Sequence, residues 1–234
     1  MKMVLLAGGK GVRLRPLTYT IPKPLLPIGE KPILEEIIER LRAQGVRDFV
    51  IAVGYRAELI ETYFRDGGQL GVTITYVRET EPLGTAGPLA LVRDAGILAP
   101  DETVLAMNGD LLTDIDVKAL AAAHERAGNE LTVVTRDFRL QHPYGVIQTE
   151  GDRVTGIVEK PAVTDTISAG VYALRPSALA LIPAGRFFDV PDLVNALAAA
   201  GKRVGAWRHD GEWLAIDRME QLEDAARLLA ERHG

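Results

Sequence analysis

The chain has 234 residues, 47% of them hydrophobic and 25% charged, with a formal net charge of −5 and no cysteine. That balance supplies a full globular core and argues against nucleic acid or an anionic membrane as partner. The missing cysteines exclude disulfides, thiolate nucleophiles and cysteine-held metals. The opening apolar run, VLLA at 4–7, is too short for a signal peptide and no stretch is long enough to span a bilayer, so a cytoplasmic protein is expected.

Strand and helix then alternate at short spacing. Residues 2–7 read as a buried strand, 33–45 as an amphipathic helix closed by Gly45, 48–54 as a strand and 56–68 as a helix. Strands are expected at 72–77, 103–110 and 130–136, with helices at 85–96 and 117–128 between them. The character changes from about 140 to 175. Residues 144–161 predict a hairpin turning at Glu150-Gly151-Asp152, followed by a strand at 166–174. Helices at 176–182, 189–201 and 218–234, with strands at 203–208 and 211–216, complete the chain. The alternation predicts an α/β fold: a Rossmann-like, mostly parallel sheet with helices on both faces and a small strand-rich insertion. Without repeats or a flexible linker, one domain is expected over 1–234. In such sheets ligands sit outside the C-terminal ends of the strands, so the residues that follow strands matter most.

The first of these stretches is LAGGKGVRLRP, from Leu6. Leu6 and Ala7 lead into Gly8, Gly9 and Gly11, which let a backbone approach a phosphate and point N–H groups at it. Arg13 and Lys23 add positive charge suited to a polyphosphate. Neither GxxxxGK[ST] nor GxGxxG is present, and Pro16 discourages a long helix after the loop. On glycines alone, a tight surface turn explains the stretch equally well.

The longer pattern separates the two readings. GGKGVRLRPLT followed by PKPLLPI resembles the signature of the sugar-phosphate nucleotidyltransferases, and EPLGTAGPLAL, MNGD, YGVI, VEKP and AGVY follow in the family's order. The resemblance covers nearly the whole chain. It implies attack of a sugar 1-phosphate on the α-phosphorus of a nucleoside triphosphate, giving a nucleotide sugar and pyrophosphate. Residues 1–115 would bind mainly the nucleotide and 116–234 mainly the sugar phosphate. By the same resemblance Gly8, Gly9 and Gly11 wrap the triphosphate, Arg13 holds the leaving pyrophosphate and Lys23 reaches the phosphates. Such a reaction needs positioning and charge neutralisation rather than a nucleophilic side chain.

In the family the turn at Gly84 and Thr85 packs against the nucleobase, and the residue five before the glycine reads the base edge. Here that residue is Glu79. A carboxylate only accepts hydrogen bonds. Guanine offers two adjacent donors, whereas uracil and thymine offer one between two acceptors, a mismatch costing about 1–3 kcal/mol. GTP is therefore expected over UTP or dTTP, in line with a likeness to mannose- and heptose-1-phosphate guanylyltransferases. Alternatives are a uridylyl- or thymidylyltransferase of the same fold, or a non-catalytic subunit that binds nucleotide sugars. Outside that family frame, Thr85 reads simply as a helix cap.

The resemblance makes Asp110, at the end of its strand, the principal ligand of Mg²⁺, a cation typically held by one or two carboxylates plus substrate phosphates. On the sugar side it implies hydroxyl contacts from Gly145 and Glu159, a phosphate contact from Lys160, and sugar contacts around Ser168 and Gly170. Two positions depart from the family. Ser168 stands where Asn is common, which leaves the sugar open. WLAID at 213–217 puts Ala215 where the second metal-binding Asp is usual. Asp217 either serves in its place, about 6–7 Å further along if the strand continues, or caps the next helix. The sequence holds no hexapeptide repeat, so no acyltransferase module is expected, and assembly into a homo-oligomer stays open.

Overall fold

The computed structural model describes residues 1–233; the last residue of the expected C-terminal helix, Gly234, lies outside them. In chain order the elements are β1 (Lys2–Ala7), β2 (Pro27–Ile28), β3 (Lys31–Pro32), α1 (Ile33–Ala43), β4 (Asp48–Val53), α2 (Ala57–Phe64), β5 (Thr73–Arg78), α3 (Gly87–Asp94), β6 (Val104–Asn108) and β7 (Leu111–Thr113). There follow α4 (Val117–Ala127), β8 (Leu131–Gln141), β9 (Val146–Glu150), β10 (Arg153–Val158), β11 (Ala162–Leu174), α5 (Val190–Ala199), β12 (Val204–Arg208), β13 (Trp213–Ala215) and α6 (Met219–His233).

Seven strands form one sheet in the order β12-β8-β11-β6-β1-β4-β5. The pairs β1–β4, β1–β6, β4–β5 and β8–β12 are parallel, while β11 runs antiparallel to both its neighbours. The sheet is thus mostly parallel, as the alternation predicts. Its inner strands are apolar on both sides because both sides are covered. Met3 and Leu5 of β1 face one core with α1, α2, α4 and α6, whereas Val4 faces a second core with α3 and α5. Strand periodicity alone divides the two layers.

Several expectations need correction. The helix expected at 176–182 is a 3₁₀ turn over Pro176–Leu181. The strands expected at 130–136 and 166–174 run on as β8 and β11 into a long paired arm, beside which β9 and β10 form the expected hairpin. Their added residues, such as Asp137–Gln141, are exposed and form no part of the buried core. The short strands β2, β3 and β7 were not anticipated.

Candidate active site

Strand β1 lies inside the sheet between β6 and β4, and a glycine, Gly109 or Gly54, directly follows each of these neighbours. Tyr55 donates its N–H to the Gly8 carbonyl (3.0 Å), and Gly109 donates to the Leu6 carbonyl (2.9 Å). A Cβ on Gly54 would stand 2.8 Å from the Gly8 oxygen, and one on Gly109 2.8 Å from the Leu6 oxygen. Glycine is required for β4 and β6 to close this tightly on the loop after β1. Within that loop Gly11 is left-handed, with φ +58, and a Cβ there would lie 3.0 Å from the Thr18 methyl and 3.1 Å from Lys23 Cβ. Thr18 donates its hydroxyl to the Gly11 carbonyl at 2.8 Å. Short 3₁₀ turns at Val12–Leu14, Leu17–Tyr19 and Lys23–Leu25 follow in place of a long helix, as Pro16 foretold.

The loop opens onto a cavity of about 740 Å³. Leu6, Ala7, Gly8, Gly9, Gly11, Arg13, Lys23, Glu79, Gly84, Thr85, Asp110 and Asp217 all line it. Residues from five separate stretches of chain thus meet in one place.

One end of the cavity is a charge centre. Lys23, 8% exposed, directs its ammonium to Asp110 Oδ2 (2.5 Å) and Asp217 Oδ1 (2.7 Å). Arg13, on the rim, donates to Asp217 Oδ2 at 3.2 Å. Burial pushes the Asp217 carboxyl up, but the Lys23 hydrogen bond and the nearby charges of Lys23, Arg13 and Arg218 outweigh it, holding the carboxyl below its ordinary range. Of the two roles open to Asp217, helix capping is not the one adopted: Gln221 Oε1 accepts the N–H groups of Asp217 (2.7 Å) and Arg218 (2.9 Å). Ala215 ends β13 opposite Leu111, and Ile216 donates its N–H to the Asp110 carbonyl at 2.9 Å. The chain therefore leaves the strand beside Asp110, and Asp217 turns inward there. Two carboxylates already converge on one cation, the Lys23 ammonium. Hard oxygen donors of this kind suit Mg²⁺. Among the described residues no group of three or more His, Asp and Glu side chains could hold a metal, so Asp110 and Asp217 would need phosphate oxygens to complete the shell.

The other end is built around β5. Glu79 accepts the Leu83 N–H on Oε2 at 3.1 Å, and its other oxygen sits where a Cβ on Gly8 would be. Burial pushes this carboxyl up, only partly offset by the Leu83 N–H. Gly84 is left-handed, with φ +79, and a Cβ on it would meet Asp189 Oδ1 at 2.7 Å and the Phe188 carbonyl at 2.8 Å. Thr85 does not cap α3, whose N-cap is Ala86. Its N–H and hydroxyl donate to Asp189 Oδ1 (2.8 and 3.0 Å), and its oxygen accepts the Val190 N–H (2.9 Å). The turn is thereby stitched to the start of α5.

The residues expected on the sugar side lie outside this cavity. Gly145 packs on Glu159, whose Oε2 is 3.0 Å from a Cβ placed on that glycine. Glu159 and Lys160 are exposed at the end of β10, with Lys160 at φ +44. The β8–β11 register slips between Ser168 and Tyr172. Ser168 Oγ closes this bulge: it accepts the Gly170 N–H (3.3 Å) and lies 3.1 Å from Tyr172 Oη. Gly170, at φ +73, lies against Asn108, and Asn108 lines the cavity. The sugar-side strands thus border the cavity through that pair.

The family model described as nucleotidyl transferase matches residues 2–232. The chain belongs to this family. It is 34% identical to a UTP–glucose-1-phosphate uridylyltransferase of Synechocystis over 99% of this chain and 64% of that protein. It is 44% identical to a mannose-1-phosphate guanyltransferase of Yarrowia lipolytica over 78% of this chain and 51% of that one. A zebrafish (Danio rerio) mannose-1-phosphate guanylyltransferase catalytic subunit beta is 42% identical over 92% of this chain and 61% of its own. The chain therefore spans about half to two thirds of these relatives. Among solved structures, HddC from Yersinia pseudotuberculosis superposes with a TM-score of 0.75 at 25% identity, covering 97% of this chain and 99% of that one.

In this member of the family, sequence reasoning missed three residues at or beside the cavity. Asn108 carries no separate signal within MNGD. Asp189 and Phe187, which lines the cavity, precede α5, about a hundred residues from the turn they reach. The helix start DVP was legible, but nothing local tied it to Gly84.

Proposed function

We propose that the protein transfers a nucleotidyl group from GTP to a sugar 1-phosphate, releasing pyrophosphate. The observation that carries this is the pairing of Asp110 and Asp217 around one cation, beside a glycine loop that lines the same cavity. The Glu79 carboxylate supports guanine, because its acceptor oxygens match the adjacent donors of that base. The guanylyltransferase names of several relatives agree with it.

The residues divide the work. Gly8, Gly9 and Gly11 shape the bed of the triphosphate. Glu79, Gly84 and Thr85 seat the nucleoside. Arg13, exposed on the rim beside Asp217, neutralises charge on the departing pyrophosphate. Asp110 and Asp217 would hold Mg²⁺, which supplies charge neutralisation between phosphate oxygens. Lys23, released from its carboxylates as that charge is matched, donates to phosphate oxygens. Gly145, Glu159, Lys160, Ser168 and Gly170 hold the sugar phosphate so that its oxygen faces the α-phosphorus in line. A cytoplasmic location follows from the need for nucleoside triphosphates; among the described residues no helix is long and apolar enough to cross a membrane.

A second reading, with UTP as donor, is favoured by the uridylyltransferase relative that matches nearly all of this chain. Pyrophosphate release with Mg²⁺, crossing GTP, UTP, dTTP, CTP and ATP against mannose, glucose and heptose 1-phosphates, decides between them. Turnover led by GTP is expected. Turnover with UTP or dTTP alone overturns the base assignment and keeps the reaction class. Nucleotide binding with no pyrophosphate from any pair points to a non-catalytic subunit.

A further inference from the structure

We propose that Phe187 is a nucleoside-contacting residue, its ring closing the open side of the base pocket by packing on the face of the bound base. The proposal rests on the nucleotide reading of the cavity given above. Phe187 is 63% exposed, so its ring is open to a ligand. It lines the cavity together with Leu83, Gly84, Thr85 and Pro88.

Its position is fixed by the backbone on its C-terminal side. Phe188 donates its N–H to the Leu83 carbonyl (2.9 Å), and its own carbonyl accepts from Ala86 (2.9 Å) and Gly87 (2.8 Å). Asp189 adds the two hydrogen bonds to Thr85. The 83–87 turn and the 187–190 segment therefore form one unit. Phe187 is carried on the same unit as Gly84 and Thr85, the residues assigned to the nucleoside. Glu79 presents hydrogen-bond acceptors to a base edge and offers nothing to its flat face. An exposed aromatic ring lining the same cavity as that edge-reader is the group that can supply a stacking surface. Base–aromatic stacking tolerates any base, so Phe187 adds affinity while Glu79 sets choice.

The test compares wild type, Phe187→Ala, Phe187→Leu and Phe187→Tyr in the full chain. Equilibrium binding of GTP is measured beside binding of inorganic tripolyphosphate, each with Mg²⁺, and KM and kcat are measured for turnover. The expected result is a GTP affinity about ten- to a hundredfold weaker in Phe187→Ala, partly restored in Phe187→Leu and close to wild type in Phe187→Tyr. Tripolyphosphate binding should not change, and KM for GTP should rise with kcat little altered. Equal GTP binding by wild type and Phe187→Ala overturns the inference and leaves the nucleotide reading intact. An equal loss for GTP and tripolyphosphate also overturns it, since the substitution would then act by disturbing the loop. Failure of wild type to bind any nucleoside triphosphate overturns the reading beneath it.

Discussion

Glu79 and Asp217 are both carboxylates in one cavity, and their surroundings push them in opposite directions. Burial raises Glu79, so the folded state holds its proton to higher pH than the unfolded chain does. Stability therefore falls as pH rises from the ordinary glutamate value, about 4.3, through the raised one. Glu79→Gln should accordingly be more stable than wild type at pH 7, while its preference for GTP over UTP falls about tenfold or more. Paired kcat/KM values and melting curves at pH 5 and pH 7 check both; an unchanged nucleotide preference would sink the base-reading role. Asp217 behaves the other way. Its lowered carboxyl contributes stability above the ordinary aspartate value, about 3.9, and that contribution is lost as pH falls through the folded value. Asp217→Asn removes one of the two carboxylates that meet at Lys23. The rate is expected to drop about a hundredfold or more, with more Mg²⁺ needed for half-maximal activity. A near-normal rate at ordinary Mg²⁺ would leave Asp110 to serve with substrate phosphates alone.

At the scale of elements, what was legible in the sequence follows from how local each signal is. The loop after β1, the MNGD turn and the helix faces depend on neighbours a few residues apart, and they stand where the pattern put them. The orientation of Asp217 does not depend on neighbours alone. It is set by Gln221 behind it and by Lys23, which lies 194 residues away in the chain. WLAID could thus be read either as a metal position or as a cap. The Thr85–Asp189 tie spans 104 residues and leaves no local trace, so Thr85 read as a helix cap. The outer halves of β8 and β11 carry Arg, Asp and Thr on exposed strands, where apolar alternation has nothing to bury. Two substitutions probe these joints. Gly54→Ala places a Cβ against the Gly8 carbonyl, a backbone atom with little room to yield, and should cost about 1–3 kcal/mol in denaturant unfolding together with weaker nucleotide binding. Asp189→Ala frees the turn at Thr85 and should cost about 1 kcal/mol. It should also raise KM for the nucleotide more than it lowers kcat; a lowered kcat at constant KM would place Asp189 in the chemistry instead.

Over the whole molecule, burial is distributed unevenly between the sheet and the hairpin. Strands β1, β4 and β6 are buried between two apolar layers and carry the glycine loop and Asp110. The β9–β10 hairpin is different. It pairs only with itself, and Ile147 and Ile157 lie exposed opposite each other across it. A two-stranded ribbon is marginal in water on its own, so this arm should open far more often than the sheet centre. If the proposed reaction holds, a bound sugar phosphate would draw Gly145, Glu159 and Lys160 of the hairpin region towards Asp110, since attack at the α-phosphorus requires near contact. Hydrogen exchange followed by mass spectrometry tests this directly. Without ligands, residues 136–166 should exchange fastest within the strand-forming part of the chain, and residues 2–7, 48–53 and 104–108 slowest. Nucleotide alone should protect the loop after β1 and the 79–87 turn. A productive nucleotide and sugar 1-phosphate pair, or the nucleotide-sugar product, should also slow exchange at 144–161. Protection of the arm by nucleotide alone would mean that it closes on the triphosphate. No protection with either ligand set would remove the arm from sugar binding altogether.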